Sequence, residues 1–142
     1  MKYLLDTCVV SELIRPKPDQ KVVNWVSAQE EENLFLSTIT LGEIKNGIEK
    51  LPDSPKRTGL EEWLEKLEHR FSSRLIGIHI DEAYSWGVLS ANAAKKGYAL
   101  PVADGLIAAC AQVHALTIVT RNTIDFISTG VPVMNPWNNS KT

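Results

Sequence analysis

The feature that most constrains this chain is a set of short apolar runs that do not alternate with polar residues. Tyr3-Leu4-Leu5 stops at Asp6, Leu34-Phe35-Leu36 at Ser37, Leu75-Ile76-Gly77-Ile78 near His79, and Leu116-Thr117-Ile118-Val119 at Thr120. A strand with one wet face reads apolar, polar, apolar, whereas a strand covered on both faces reads apolar throughout. These runs therefore predict strands sandwiched between two layers. Val131-Pro132-Val133 suits a last strand at the sheet edge, where a proline is tolerated.

The segments between the runs have helical spacing. Leu60, Trp63, Leu64, Leu67 and Phe71 share one face, with Glu61, Glu62, Glu65 and Glu68 opposite. Asp81 can cap a helix that closes at Lys95-Lys96-Gly97, with cations and a glycine where a helix end prefers them. Pro101 suits the first position of another helix, whose face is Ala103, Leu106, Ile107, Cys110 and Val113. Leu51 to Lys56 is a short loop with two prolines, not a linker. Strand–helix alternation of this kind predicts an α/β fold with a mainly parallel sheet and helices on both faces. At 142 residues the whole chain, 1–142, is one domain. In such folds ligands bind beyond the carboxyl ends of the strands.

Charge narrows the function. The formal net charge is −2, so this is not a protein that coats nucleic acid through a general basic surface. Any contact with nucleic acid has to be local. No stretch approaches the roughly 20 apolar residues of a membrane span, and Asp6 interrupts the N-terminus before a signal core forms. A cytoplasmic location is expected, without membrane contact. Cys8 and Cys110 read as two small buried hydrophobes in a reducing compartment, with no zinc pattern around them. The Asn138-Asn139-Ser140 sequon carries no meaning without a secretory route.

Four carboxylates stand where a site would form. Asp6 ends the first strand, where an Asp also serves as a turn or helix cap. Glu43 completes Thr40-x-x-Glu43, the spelling of a capping box, just past the second strand. Asp104 lies one turn after Pro101, favoured there by the helix dipole, and next to the apolar face, so half-exposed. Asp125 follows Thr120-Arg121-Asn122-Thr123-Ile124, beyond the fourth strand, and reads equally as a surface turn. Each position has its ordinary explanation. Together they converge on one edge of a parallel sheet, where carboxylates repel and need a compensating cation. Hard oxygen donors without His or Cys favour Mg²⁺ or Mn²⁺, the ions of phosphodiester hydrolysis.

These residues also carry a family likeness. Leu4-Leu5-Asp6-Thr7, Ser37-x-Ile39-Thr40-x-x-Glu43-Ile44-x-x-Gly47, Ala103-Asp104-Gly105-Leu106-Ile107-Ala108 and Val119-Thr120-Arg121-Asn122-x-x-Asp125-Phe126 resemble the PIN-domain toxins of the VapC type. The closing Asn135-Pro136-Trp137 is similar to the subgroup named after fast intracellular trafficking. The resemblance spans nearly the whole chain. It implies a three-layer α/β/α PIN-like fold and a Mg²⁺- or Mn²⁺-dependent endoribonuclease, the toxin of a type II toxin–antitoxin module. It implies Asp6, Glu43 and Asp104 as metal ligands, Asp125 as a fourth acid, and Thr120 as an accessory residue near the metal. It also implies an RNA substrate, a small cognate antitoxin and a homodimer. One departure is Cys8, where members of the family commonly carry Asn.

Two other readings compete. A catalytically dead PIN-fold binding module shares everything but the metal. A haloacid-dehalogenase-like phosphatase also opens with a strand ending in Asp, but needs a second Asp where Cys8 stands. For RNA contact the candidate cations are Arg15, Lys17, Lys45, Lys50, Lys95, Lys96 and Arg121; Arg15 and Arg121 are preferred because each follows a strand-end acid. Trp25, Trp63, Trp86 and Trp137 are candidate anchors for a second copy, with core packing expected for two or three.

Overall fold

The structure, a computed structural model, describes residues 1–138; Asn139 and Ser140 of the sequon lie outside them. Five strands form one sheet in the order β3-β2-β1-β4-β5, with every neighbouring pair parallel. They are β1 (Tyr3–Leu5), β2 (Leu34–Ser37), β3 (Leu75–Ile76), β4 (Thr117–Val119) and β5 (Val133–Met134). The helices are α1 (Thr7–Leu13), α2 (Gln20–Ser27), α3 (Thr38–Glu49), α4 (Pro55–Arg70), α5 (Ile80–Lys95) and α6 (Val102–His114), with a 3-10 turn at Thr123–Thr129.

Successive strand residues face opposite layers, and both faces are covered. Leu4 and Ile118 join a core with Ile107, Ala108, Leu89 and Phe126 from α6, α5 and the 3-10 turn. Leu5 and Val119 point the other way, toward Val9, Val22, Ile44, Ile48, Leu67 and Phe71 from α1–α4. This three-layer arrangement is why the strands read as unbroken apolar runs. The order of strands also matters. The chain moves from β1 outward through β2 to β3, then returns to place β4 and β5 on the other side of β1. The switch in direction falls between β1 and β4, the position at which parallel sheets open a crevice for ligands.

Several boundaries differ from the sequence reading. β3 stops at Ile76. The third helix starts at Thr38, capped by the Ser37 hydroxyl accepting from Ile39 N at 3.0 Å. Glu43 therefore lies beyond the first turn, and Thr40–Glu43 is not a capping box. α5 is capped by His79, whose N–H donates to Glu82 Oε1 at 2.9 Å, not by Asp81. Pro101 is the residue before α6, not its first. The Lys95-Lys96-Gly97 closure is present, with Gly97 at φ +87° and Tyr98 N–H donating to Ala93 O at 2.9 Å. All four tryptophans are partly buried against one of the two cores, Trp86 on one side of the sheet and Trp25, Trp63 and Trp137 on the other.

Candidate active site

Asp6 stands at the carboxyl end of β1, directly at the switch point. Its N–H donates to Val119 O of β4 at 2.9 Å, prolonging the ladder by one residue. The side chain is 6% exposed and accepts from Thr7 N at 2.8 Å, capping α1. Its second oxygen accepts from the Thr120 hydroxyl, also at 2.8 Å, and Thr120 is fully buried at the end of β4. The residue that caps α1 is thus also the candidate site residue at the switch point. Burial pushes the Asp6 carboxyl above its ordinary range, against the pull of the Thr120 and Thr7 hydrogen bonds, and Glu43 adds to the rise.

Glu43 projects from α3, with an exposed side chain. The Thr7 hydroxyl donates to its Oε1 at 2.5 Å and lies 3.2 Å from the Thr40 hydroxyl, which is buried. Thr7 therefore bridges the two acids: its backbone N–H binds Asp6 and its side chain holds Glu43. The sequence shows Thr7 and Thr40 as motif letters, and Thr40 as part of an apparent cap, but gives neither a role beside the acids, because a threonine has no chemistry of its own to advertise. Their placement around Asp6 and Glu43 is visible only once α1 packs beside α3.

Asp104 lies in the first turn of α6 and is half-buried. Its carboxyl is pushed up to about 6, chiefly by burial and then by the charges of Asp6, Asp125 and Glu43. This is the electrostatic signature of convergence: each of the other three acids is close enough to raise Asp104. Asp125, in the 3-10 turn, is exposed. None of the four carboxylates is in an ion pair among the described residues. The acids share a rim without closing on one another: among the described residues no three His, Cys, Asp or Glu side chains are gathered tightly enough to hold an ion as they stand. Unneutralised carboxylates repel, so a spread cluster is what the charge dictates.

Cys110 is buried, against the Ser37 hydroxyl at 3.7 Å, as expected. Cys8 is not a buried hydrophobe. It is half-exposed, with Sγ 3.8 Å from Asp6 Oδ2, 3.5 Å from Thr120 Oγ1 and 3.4 Å from the Arg121 N–H that it accepts. The thiol is pushed up by burial and so stays protonated, a weak donor to the buried acid. Of the two preferred cations, Arg15 is paired with the buried Glu12 at 3.2 Å, while Arg121 lies over the Trp137 ring, 5.2 Å from its centroid. Lys45 is tied to Glu49 at 3.1 Å.

A PIN-domain family profile matches residues 3–130. The chain is 36% identical over 135 residues to the VapC ribonuclease Y4jK of Sinorhizobium fredii, covering 94% of this chain and 96% of that protein. It is 37% identical over 135 residues to Toxin FitB of Neisseria gonorrhoeae, covering 94% and 97%. Among solved structures, FitAcB from Neisseria gonorrhoeae superposes with a TM-score of 0.91 at 36% identity, over 96% of this chain and 99% of that one. VapBC2 from Rickettsia felis, bound to a DNA fragment from its promoter, superposes with a TM-score of 0.80 at 25% identity, over 95% and 98%. With a profile spanning most of its length and relatives over a third identical along nearly all of it, the chain belongs to the PIN-domain family, among relatives that bear VapC and FitB names.

Proposed function

We propose that this chain is a divalent-metal-dependent endoribonuclease, the toxin half of a toxin–antitoxin pair working in the cytoplasm. The observation that carries the proposal is the convergence of Asp6, Glu43, Asp104 and Asp125 at the β1/β4 switch point with no ion pair to any of them among the described residues. Stability alone would not gather such a set. The relatives support the substrate, since one is named a ribonuclease and another a toxin.

The donor set fits Mg²⁺ or Mn²⁺: oxygen ligands only, in a site whose acids are unpaired. Asp6, Glu43 and Asp104 would hold the ion and Asp125 would reach it through water. When bound, the ion supplies charge neutralisation and an activated water. The chain's own residues do the positioning. Thr120 and the Thr7 N–H fix the Asp6 carboxylate from both oxygens, and the Thr7 hydroxyl holds Glu43.

Cleavage by the RNA's own 2′-hydroxyl needs a general base and acid, usually histidine. Here His69 is exposed on α4, His79 caps α5, and His114 Nε2 sits 2.8 Å from Glu82 Oε2. Among the described residues none of the three hydrogen-bonds to Asp6, Glu43, Asp104 or Asp125. The products should therefore carry 5′-phosphate and 3′-hydroxyl ends. Metal-stripped protein incubated with RNA should cut nothing in EDTA and regain cutting with Mg²⁺ or Mn²⁺. Cyclic-phosphate ends, or cleavage that persists in EDTA, would overturn the mechanism.

An active nuclease needs restraint, and a structural neighbour that is a toxin-antitoxin complex from Klebsiella pneumoniae supports a cognate antitoxin as partner. An arginine from such a protein would pair with the free carboxylates and exclude the metal. RNA contact falls to Arg121, with Arg15 second because Glu12 already engages it. A second copy is proposed to dock on α5. Ile80, Tyr84 and Val88 recur every four residues and are 69%, 74% and 59% exposed. Ala83, Gly87 and Ala91 run beside them, also exposed, and a Cβ on Gly87 would meet nothing within 4 Å. A mid-helix glycine costs about 1 kcal/mol against alanine, and no close approach among the described residues requires it. Close approach of another helix does. Asp81 and Lys95 bracket the stripe, so a two-fold antiparallel pairing sets each Asp81 against the other copy's Lys95.

A further inference from the structure

Arg121 leaves β4 one residue after Thr120, and its backbone is tied to the site through the N–H donated to Cys8 Sγ at 3.4 Å. Four acids with no ion-pair partner among the described residues share that edge, and one of them, Asp125, is four residues ahead in the 3-10 turn that follows. A long exposed guanidinium in such company is expected to settle on a carboxylate, since that pairing is charge-assisted and often bidentate. Arg121 does not. Among the described residues it is in no ion pair. Its guanidinium lies instead over the indole of Trp137, 5.2 Å from the ring centroid.

The indole is held in place by packing. Trp137 packs against the core that contains Leu5, Val9 and Val119, the same residues that carry β1, α1 and β4 into the site. The Trp137 backbone N–H donates to Asn135 Oδ1 at 2.8 Å, which turns the chain just after β5. β5 is in turn locked to the strand end that bears Arg121, with Thr120 N–H donating to Met134 O at 2.9 Å. The platform and the cation thus follow two strands held in fixed register.

We propose that Trp137 is a positioning residue that keeps Arg121 off the carboxylates. The acids then stay free for a divalent cation, and the guanidinium stays presented to an RNA phosphate. The proposal rests on the metal-dependent nuclease reading of the site. Without the indole, the chain's own arginine becomes a competitor for the metal.

The test needs no RNA. Metal-free protein is melted across a MnCl₂ titration, and the ion concentration that gives half the maximal rise in Tm is compared between variants. Trp137→Leu keeps an apolar group over the core but removes the stack. It should weaken apparent Mn²⁺ affinity about two- to five-fold, the factor that an exposed cation–π contact is worth. Arg121→Lys leaves the indole and the core untouched while stacking less well, and should shift the titration the same way. Trp137→Phe should fall between Trp137→Leu and wild type. The double variant Trp137→Leu, Arg121→Gln should return to wild type, because the competitor is gone. Wild-type affinity in Arg121→Lys overturns the proposal, even if Trp137→Leu melts too low to titrate. A double variant as weak as Trp137→Leu alone also overturns it, since the indole would then act by packing. A wild-type protein that gains nothing from Mn²⁺ defeats the metal reading beneath, an outcome distinct from the other two.

Discussion

At the scale of single residues, the site is a place where the fold works against itself. Asp104 in the native protein holds its proton up to about pH 6, above its ordinary value near 3.8. Between those two values the native state binds more protons than the unfolded one. Stability is therefore lost as pH rises through this window, and the deficit persists above it. Asp104→Asn removes the deficit. In EDTA its Tm should match wild type near pH 4 and exceed it near pH 7 by about 2–4 °C, what roughly 1 kcal/mol is worth at this size after discounting for solvent screening of a half-exposed group. The same variant should cut no RNA. Glu43→Gln should also be inactive, with little change in stability, because Ser37 and not Thr40 caps α3. A variant at either position that cuts at the wild-type rate would remove that acid from the machinery.

At the scale of elements, the approach of α6 to α5 decides where Asp104 points. Gly105 is the next residue, and a Cβ there would lie 2.8 Å from Trp86 Cδ1 and 3.3 Å from Leu100 Cδ2. The glycine is thus a spacing device that lets α6 begin beside the indole of α5. Gly105→Ala gains helix propensity of up to about 1 kcal/mol but overpacks by about 1–3 kcal/mol. A net loss of about 1–2 kcal/mol is expected in urea unfolding, and Trp86→Phe in the same chain should recover part of it. An alanine variant as stable as wild type would show that Trp86 moves aside freely. The pairing at the far end of these helices, Ser85 Oγ to Gln112 Oε1 at 2.5 Å and His114 to Glu82, holds the register that Gly105 exploits.

At the scale of the whole molecule, the exposed α5 stripe predicts a dimer with a two-fold axis near its middle. Val88→Glu places two like charges close to that axis. Wild-type protein at micromolar concentration should scatter light as a dimer and Val88→Glu as a monomer, with the monomer's fold intact by circular dichroism. A monomeric wild type would refute the docking face. So would a Val88→Glu protein that stays dimeric, because some other surface would then carry the contact.

Much of this was legible in the residues themselves. Non-alternating runs such as Tyr3-Leu4-Leu5 are a direct consequence of burial on both faces, so the two-layered covering of a parallel sheet followed from local pattern. The strand-end acids were legible for the same reason: Asp6 and Asp125 follow apolar runs, and Asp104 opens a helix, so their common edge follows from topology. Local pattern failed where two elements compete to explain one residue. Thr40 and Glu43 spell a cap, but the Ser37 hydroxyl at the end of β2 caps the helix instead, and Thr40 is buried beside Thr7. Cys8 looked like core and proved to touch Asp6, since a three-residue strand places its neighbours by the turn of α1 and not by hydropathy. The stacking of Trp137 under Arg121 joins residues sixteen apart through parallel pairing of β4 and β5, a register that no local sequence signal encodes. Chain-local preferences determined the elements and the chemical character of the edge; only tertiary packing decided which oxygens, hydroxyls and cations meet there, because those meetings depend on how separate elements settle against one core.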